Sequence, residues 1–207
     1  MYSVWIFAIF ALEVFRLFPL TTLIRQACSI VPFLCQSKRL GKKDTLGYTH
    51  TLHSRVWPGD LDIWCHKNNI KYVERCEVGR IALFSKNGLL SHCRQRNITV
   101  GFSSISLRFR REFKLFQPFK VESKLCGWDD RSWYIDQKFI GTNGFVHCQC
   151  ISTLKLGRRG KAGSTTPGDI LKELCQSEGI DAIHMNKGLQ MLRDSYEFFS
   201  NDLREKK

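Results

Sequence analysis

Two carboxylates, an imidazole and two side-chain amides fall close together in this chain: Asp60, Asp62, His66, Asn68 and Asn69. They follow Pro58-Gly59, a turn pair, and precede a run of helix-forming residues. The first N–H groups of a helix have no partner inside it and carry the positive end of the helix dipole. A carbonyl oxygen held there is polarised, and an oxyanion is stabilised. A carboxylate alongside can attack the carbonyl or take a proton from water. Those are the two parts that thioester hydrolysis needs. Asn68 and Asn69 also have a plainer reading as caps of the same helix. Glu74, further along it, is a second possible base, with an exposed helix carboxylate as the plain alternative.

The elements that must hold these residues follow from hydrophobic periodicity. Residues 48–57 alternate loosely and suit a strand. Residues 66–86 read as a long helix with Ile70, Val73, Val78, Ile81 and Ala82 as its apolar face, closed by Asn87-Gly88. Four strand-like runs come next: 98–115, a run from Pro118-Phe119 with Val121 and Leu125 on one side, 132–140, and 145–156. Gly127-Trp128-Asp129-Asp130 reads as a turn, and Thr142-Asn143-Gly144 as a hairpin. Helices are expected near 168–177 and 184–201. One strand, a long helix and four antiparallel strands make an α+β layer arrangement.

The chain has 207 residues, with 32 Lys and Arg against 19 Asp and Glu, a formal charge of +13. Its length favours one domain with appendages. A 43% hydrophobic content can bury a core. The basic surface attracts polyanions, but no aromatic platforms interleave with the basic residues, so nucleic acid is not an expected partner. Nine cysteines, odd in number and without a CxxC pair, read as free thiols in a reducing compartment rather than a zinc site; no metal and no cofactor are expected.

Residues 2–24 are strongly apolar, broken by Glu13, Arg16 and Pro19, and their length suits a spanning helix of ~20 residues. An in-plane helix is the alternative, and a signal peptide whose cleavage leads to secretion is another. Basic residues flank the run only on its C-terminal side, from Arg25 to Lys43, which places the rest of the chain in the cytosol. The reading is a membrane anchor over 1–25, expected in the endoplasmic reticulum. A basic linker follows over 26–46, a folded domain over 47–157, and a basic glycine-rich loop with C-terminal helices over 158–207.

The segment DLDIWCHKNNIKYVER resembles the D-x-D-x-x-x-H-x-N-N-x-x-Y pattern of the hot-dog-fold acyl-thioesterases, the 4-hydroxybenzoyl-CoA thioesterase-like superfamily. The likeness runs on through LRFRREFKLFQPFKVESKLCGWDDRSWYIDQKF to TTPGDILKELCQ, nearest to the subgroup of thioesterase superfamily member 6. It implies a curled antiparallel sheet around a long central helix, a homodimer, and an acyl-CoA or related acyl-thioester substrate. It further implies that Asp62 is the nucleophile or general base and that the backbone N–H near His66 polarises the thioester. By the same resemblance, Asn68 and Tyr72 hold the helix start and line the acyl channel, with Asp60 bracing the loop. Trp64 stands where plant relatives have Asn and is positioned to narrow that channel. Arg108, Arg110 and Arg111 are candidates for the CoA phosphates, a solvated strand face being the alternative. The alternative function is a non-catalytic protein of the same fold that binds acyl chains or scaffolds a membrane complex.

Overall fold

The computed structural model describes residues 46–158, 166–175 and 185–205. The expected N-terminal anchor, the linker up to residue 45 and the glycine-rich loop at 159–165 lie outside the described residues. Strand β1 (Thr49–Arg55) leads through a single 3-10 turn (Pro58–Asp60) to helix α1 (Asn69–Lys86). A short helix α2 (Leu89–Gln95) follows, then strands β2 (Ile98–Phe109), β3 (Pro118–Trp128), β4 (Ser132–Gly141) and β5 (Val146–Arg158). Helices α3 (Pro167–Cys175) and α4 (Lys187–Glu205) complete the described chain. The strands form one antiparallel sheet in the order β1-β3-β4-β5-β2, leaving β1 and β2 at its edges.

Helix α1 lies on one face of the sheet because one of its stripes is apolar or small. Tyr72, Cys76, Gly79 and Leu83 recur at helical spacing and are all buried. At Gly79 the helix lies close against the sheet. A β-carbon there would sit 2.7 Å from Ser123 Oγ and 2.9 Å from Gln137 Nε2, so only glycine fits without a shift. Two apolar clusters fill the space beneath. At the α1 start, Tyr72 and Phe113 pack with Phe119, Phe139 and Cys148. At its far end, Leu83 and Leu89 pack with Trp133, Ile135, Ile170 and Leu171, so α3 closes that side. Each such side chain contributes about 1.5–3 kcal/mol by leaving water.

Several elements differ from the sequence reading. Helix α1 begins at Asn69, capped by Asn68, whose side chain accepts from the Ile70 N–H at 2.9 Å, and His66 lies before it in a loop. Ile70 is exposed, because the apolar stripe turns with Tyr72 instead. The expected strand over 98–115 ends at Phe109. There Arg110 N and Arg111 N both turn to the His147 carbonyl, and the chain leaves the edge to carry Phe113 into the core. Asn87-Gly88 ends α1 as expected but also starts α2, an element absent from the reading. Gly88 takes φ 82°, and the Asn87 side chain accepts the Leu89 N–H at 3.2 Å. Gly127-Trp128 belongs to β3, with a bulge between Leu125 and Gly127, and the turn proper is made by Asp129. All seven cysteines among the described residues are free thiols.

Candidate functional site

The loop between the 3-10 turn and α1 is built by its two aspartates in different ways. Asp60 is buried, and its carboxylate accepts the Trp57 N–H at 2.9 Å while its carbonyl accepts the Asn68 N–H at 2.7 Å. It therefore ties the end of the turn to the start of the helix. Asp62 stands two residues on and is partly open, its side chain 27% exposed. Its Oδ1 accepts the Trp64 N–H at 2.9 Å and the His66 N–H at 3.4 Å. The Asp62 N–H in turn donates to the His66 carbonyl at 2.9 Å. Cys65 takes φ 62° so that the loop can close on itself, a conformation in which a non-glycine side chain is strained.

Both ends of this loop are anchored. Leu61 bridges to Lys67, and the Lys67 N–H donates to the Phe113 carbonyl at 2.9 Å. The buried Lys67 side chain sets its ammonium 5.3 Å from the Tyr72 ring and 5.2 Å from that of Phe119, a cation–π pair. Tyr72 itself is enclosed by Phe109, Phe113 and Phe139, and burial raises its phenol well above the usual range. Trp64 faces outward, 71% exposed, and does not fill the space beneath the helix.

Around Asp62 the structure gathers groups from distant parts of the chain. His66 Nδ1 lies 3.5 Å from Asp62 Oδ1, and its Nε2 lies 3.8 Å from Glu112 Oε2. Glu112 and Lys114, which bridges to His66, were not among the residues singled out from sequence. No local pattern marks them, because the 110–117 loop meets His66 only after the sheet has formed. That loop also walls a cleft of about 480 Å³ with Arg111, Glu112, Lys114, Thr142 and Asn143. The guanidinium groups of Arg110 and Arg111 stack on Phe145 at 4.7 and 4.5 Å, whereas Arg108 stands exposed on the edge strand. Glu74 is paired with Lys71 at 2.8 Å on the flank of α1. Among the described residues, the N–H of Asn69, the first of α1, has no hydrogen-bond partner, nor does Asp62 Oδ2. One loop thus carries a carboxylate oxygen at Asp62 and, at its far end, a helix-terminal N–H at Asn69, both unengaged among the described residues.

A long helix laid across a five-stranded antiparallel sheet, with an acidic loop at its start, is the hot-dog arrangement, and the chain belongs to the thioesterase-like superfamily, whose family model matches residues 56–167. Over 140 residues it is 30% identical to Protein THEM6 of Danio rerio, a match covering 67% of this chain and 66% of that protein. Its fold is shared with the probable thioesterase YbaW of Escherichia coli, at TM-score 0.56 and 20% identity, covering 60% of this chain and 94% of the other. It is shared too with a 1,4-dihydroxy-2-naphthoyl-CoA thioesterase from Synechocystis, at TM-score 0.53 and 9% identity, covering 63% and 98% respectively.

Proposed function

We propose that the chain hydrolyses an acyl-CoA or a related acyl thioester at a membrane surface. The observation that carries this reading is that one loop holds both a partly open Asp62 carboxylate and, where α1 starts, the unengaged Asn69 N–H. Asp62 takes the proton of a water that attacks the carbonyl; the tetrahedral intermediate then collapses, the C–S bond breaks, and the leaving thiolate takes that proton, giving free acid and thiol. If Asp62 attacks the carbonyl itself, the thiolate leaves to give a mixed anhydride, which water cleaves to the acid and regenerated Asp62. The developing oxyanion is held by the Asn69 N–H, reinforced by the helix dipole. That N–H takes the role because the His66 N–H is already turned to Asp62. The His66 ring stands between Asp62 and Glu112 and orients the carboxylate. Arg110, Arg111 and Lys114, with Arg108 on the adjoining strand, offer positive charge to the CoA phosphates. The Synechocystis fold relative, named for a CoA thioester, supports a substrate of that class.

The apolar run at 2–24 supports a membrane anchor, with the domain on the cytosolic side of the endoplasmic reticulum. Protease protection on sealed microsomes tests the orientation; glycosylation of the exposed Asn97 would reverse it. The edge strand β2, with Phe102 and Phe109 half exposed, supports a homodimer paired along that edge. A strict monomer in light scattering at micromolar concentration would exclude it.

The second reading, a protein that binds acyl chains without turnover, draws on the hydrogen bonds by which Asp62 Oδ1 closes its own loop. A panel of acyl-CoAs offered to the purified full chain, with thiol release followed beside binding, separates the two. Release of thiol supports hydrolysis, and saturable binding without release supports the second reading.

A further inference from the structure

Exposed turns are usually centred on glycine, proline, asparagine, aspartate or serine. This chain instead centres two adjoining turns on large apolar residues. The Cys65 N–H donates to the Asp62 carbonyl at 3.1 Å, closing a turn over Ile63 and Trp64, which are 88% and 71% exposed. The Gln117 N–H donates to the Lys114 carbonyl at 3.1 Å, closing a second over Leu115 and Phe116, 40% and 49% exposed. The bridge between His66 and Lys114 sets the turns side by side. The half-exposed Trp57 ring meets Phe116 edge-on, with centroids 6.2 Å apart. Phe116 takes φ 59°, a conformation that strains an aromatic residue and suits glycine or asparagine. Neither burial within the chain nor backbone ease accounts for these residues.

The charges around the patch narrow what covers it. The exposed Arg55 donates to the Phe116 carbonyl at 2.9 Å, and the exposed Lys114 opens the second turn. Arg110 and Arg111 stand exposed on the same loop. The acids of the two loops face the His66 ring instead, Asp62 at 3.5 Å and Glu112 at 3.8 Å. Apolar tips among outward bases suit anionic head groups over a hydrocarbon layer. Tryptophan favours that boundary, where one edge of its ring stays wet. A second copy of the chain is assigned elsewhere. Arg55 pairs with Pro118 at the β1 edge of the sheet, and the edge proposed for the homodimer is β2, on the opposite side. The stretch from 25 to 48 reaches at most about 80 Å when extended, enough for a domain anchored by residues 2–24 to turn this face to the bilayer.

We infer that Trp57, Ile63, Trp64, Leu115 and Phe116 form a docking face for an anionic bilayer, which the tips of both turns enter. The inference rests on the membrane-surface reading above and deepens it. Asp62 opens the first turn, so docking brings its carboxylate to the lipid boundary, where an acyl thioester with its chain in the membrane is held. A tethered domain needs little affinity at this face, because the anchor keeps its effective concentration high.

The test uses the full chain reconstituted with vesicles of phosphatidylcholine, with and without phosphatidylserine, their acyl chains plain or brominated. Bromine quenches tryptophan emission only where the ring meets the hydrocarbon. Flotation of the vesicles reports first whether the membrane holds the chain at all. A share of the quenching that Trp64→Phe removes is expected, larger with phosphatidylserine and smaller in high salt. Trp5, in the apolar run, is common to both chains, and Trp128 and Trp133 are buried. Ile63→Asn combined with Leu115→Asn should lower the ratio of docked to undocked chains at least about tenfold. It should melt as the wild type does, since both side chains are exposed in turns. If the chain floats and Trp64→Phe leaves the quenching unchanged, the anchor reading stands and the docking face is overturned. It is also overturned if the double variant docks as the wild type does, or if that variant loses self-association in light scattering instead, which assigns the face to a second copy. A chain that floats with neither vesicle removes the membrane reading itself, and the docking face with it.

Discussion

The molecule holds two polar clusters along α1, one beneath the helix and one at its start, and they differ in what is left open. Under α1, Arg80 donates to Ser152 Oγ at 2.9 Å and to Gln137 Oε1 at 3.4 Å. Gln137 Nε2 donates to the Cys76 carbonyl and to Ser123 Oγ, both at 2.9 Å. All four side chains are buried, and burial holds the Arg80 guanidinium below its usual range. At the start of the same helix, the 58–69 loop satisfies Asp60 in the same closed manner but leaves Asp62 Oδ2 and the Asn69 N–H free. A closed network holds parts together, and changing it costs stability. An open pair on a rigid support is available to a substrate, and changing it costs rate. The comparison therefore predicts that the two clusters separate cleanly under mutation.

After substitution of Asp62 itself, the largest separation is expected from Asn69→Pro. Proline is well accommodated at the first position of a helix, and Asn68, with φ −59° and ψ 138°, already has the backbone favoured before proline. The substitution deletes the one N–H assigned to the oxyanion. Turnover should fall about 10²–10³-fold with the melting temperature held. A fall in both together would make the N–H structural.

Next is Gln137→Leu, which leaves the Cys76 carbonyl and Ser123 without their donor. It should cost about 1–3 kcal/mol, seen as a melting temperature lower by roughly 3–10 °C. Turnover of the folded protein should stay unchanged; a selective loss of turnover would break the comparison from the other side. Asp60→Asn should behave like Gln137→Leu on a smaller scale, since the amide oxygen can still accept from Trp57 but without its charge. A loss of about 1 kcal/mol is expected, larger in the melt than in turnover.

The smallest effect concerns pH. Burial, and next the charge of Lys86, lower the pKa of His50. The unfolded chain then takes up a proton more readily than the folded one, so stability is full above about pH 6.5 and is lost as pH falls toward the depressed value. Thermal melts from pH 7.5 downward should show this slope, and His50→Gln should flatten it. An equal slope in the variant would assign the effect to other groups.

Much of this was legible before any coordinates. The strands announce themselves by alternation, as with Val121 and Leu125 or the aromatic run into β4, and Thr142-Asn143-Gly144 is the turn its residues imply. Helix α2 was hidden because Asn87-Gly88 reads as an end, whereas the same pair also caps a start. Ile70 misled because an apolar residue in the first turn of a helix need not join its buried stripe. The aspartate motif pointed to the loop, but the partners of His66 come from the 110–117 segment, which the sheet brings across. The adjoining turns over Ile63-Trp64 and Leu115-Phe116 were equally illegible, since the same crossing sets them side by side.

The central claim is that the Asp62 carboxylate does chemistry and does more than close its loop. The most direct measurement is acyl-CoA turnover by Asp62→Asn, with Glu74→Gln as control and melts and binding of a non-hydrolysable acyl-CoA analogue beside both. Asparagine keeps the oxygen that accepts from Trp64 and His66 and loses only the charge. The account predicts that Asp62→Asn folds and binds the analogue as the wild type does and loses about 10²–10⁴ in turnover, while Glu74→Gln, whose parent carboxylate is paired with Lys71, keeps it. Wild-type turnover in Asp62→Asn, or its loss in Glu74→Gln alone, would contradict the account.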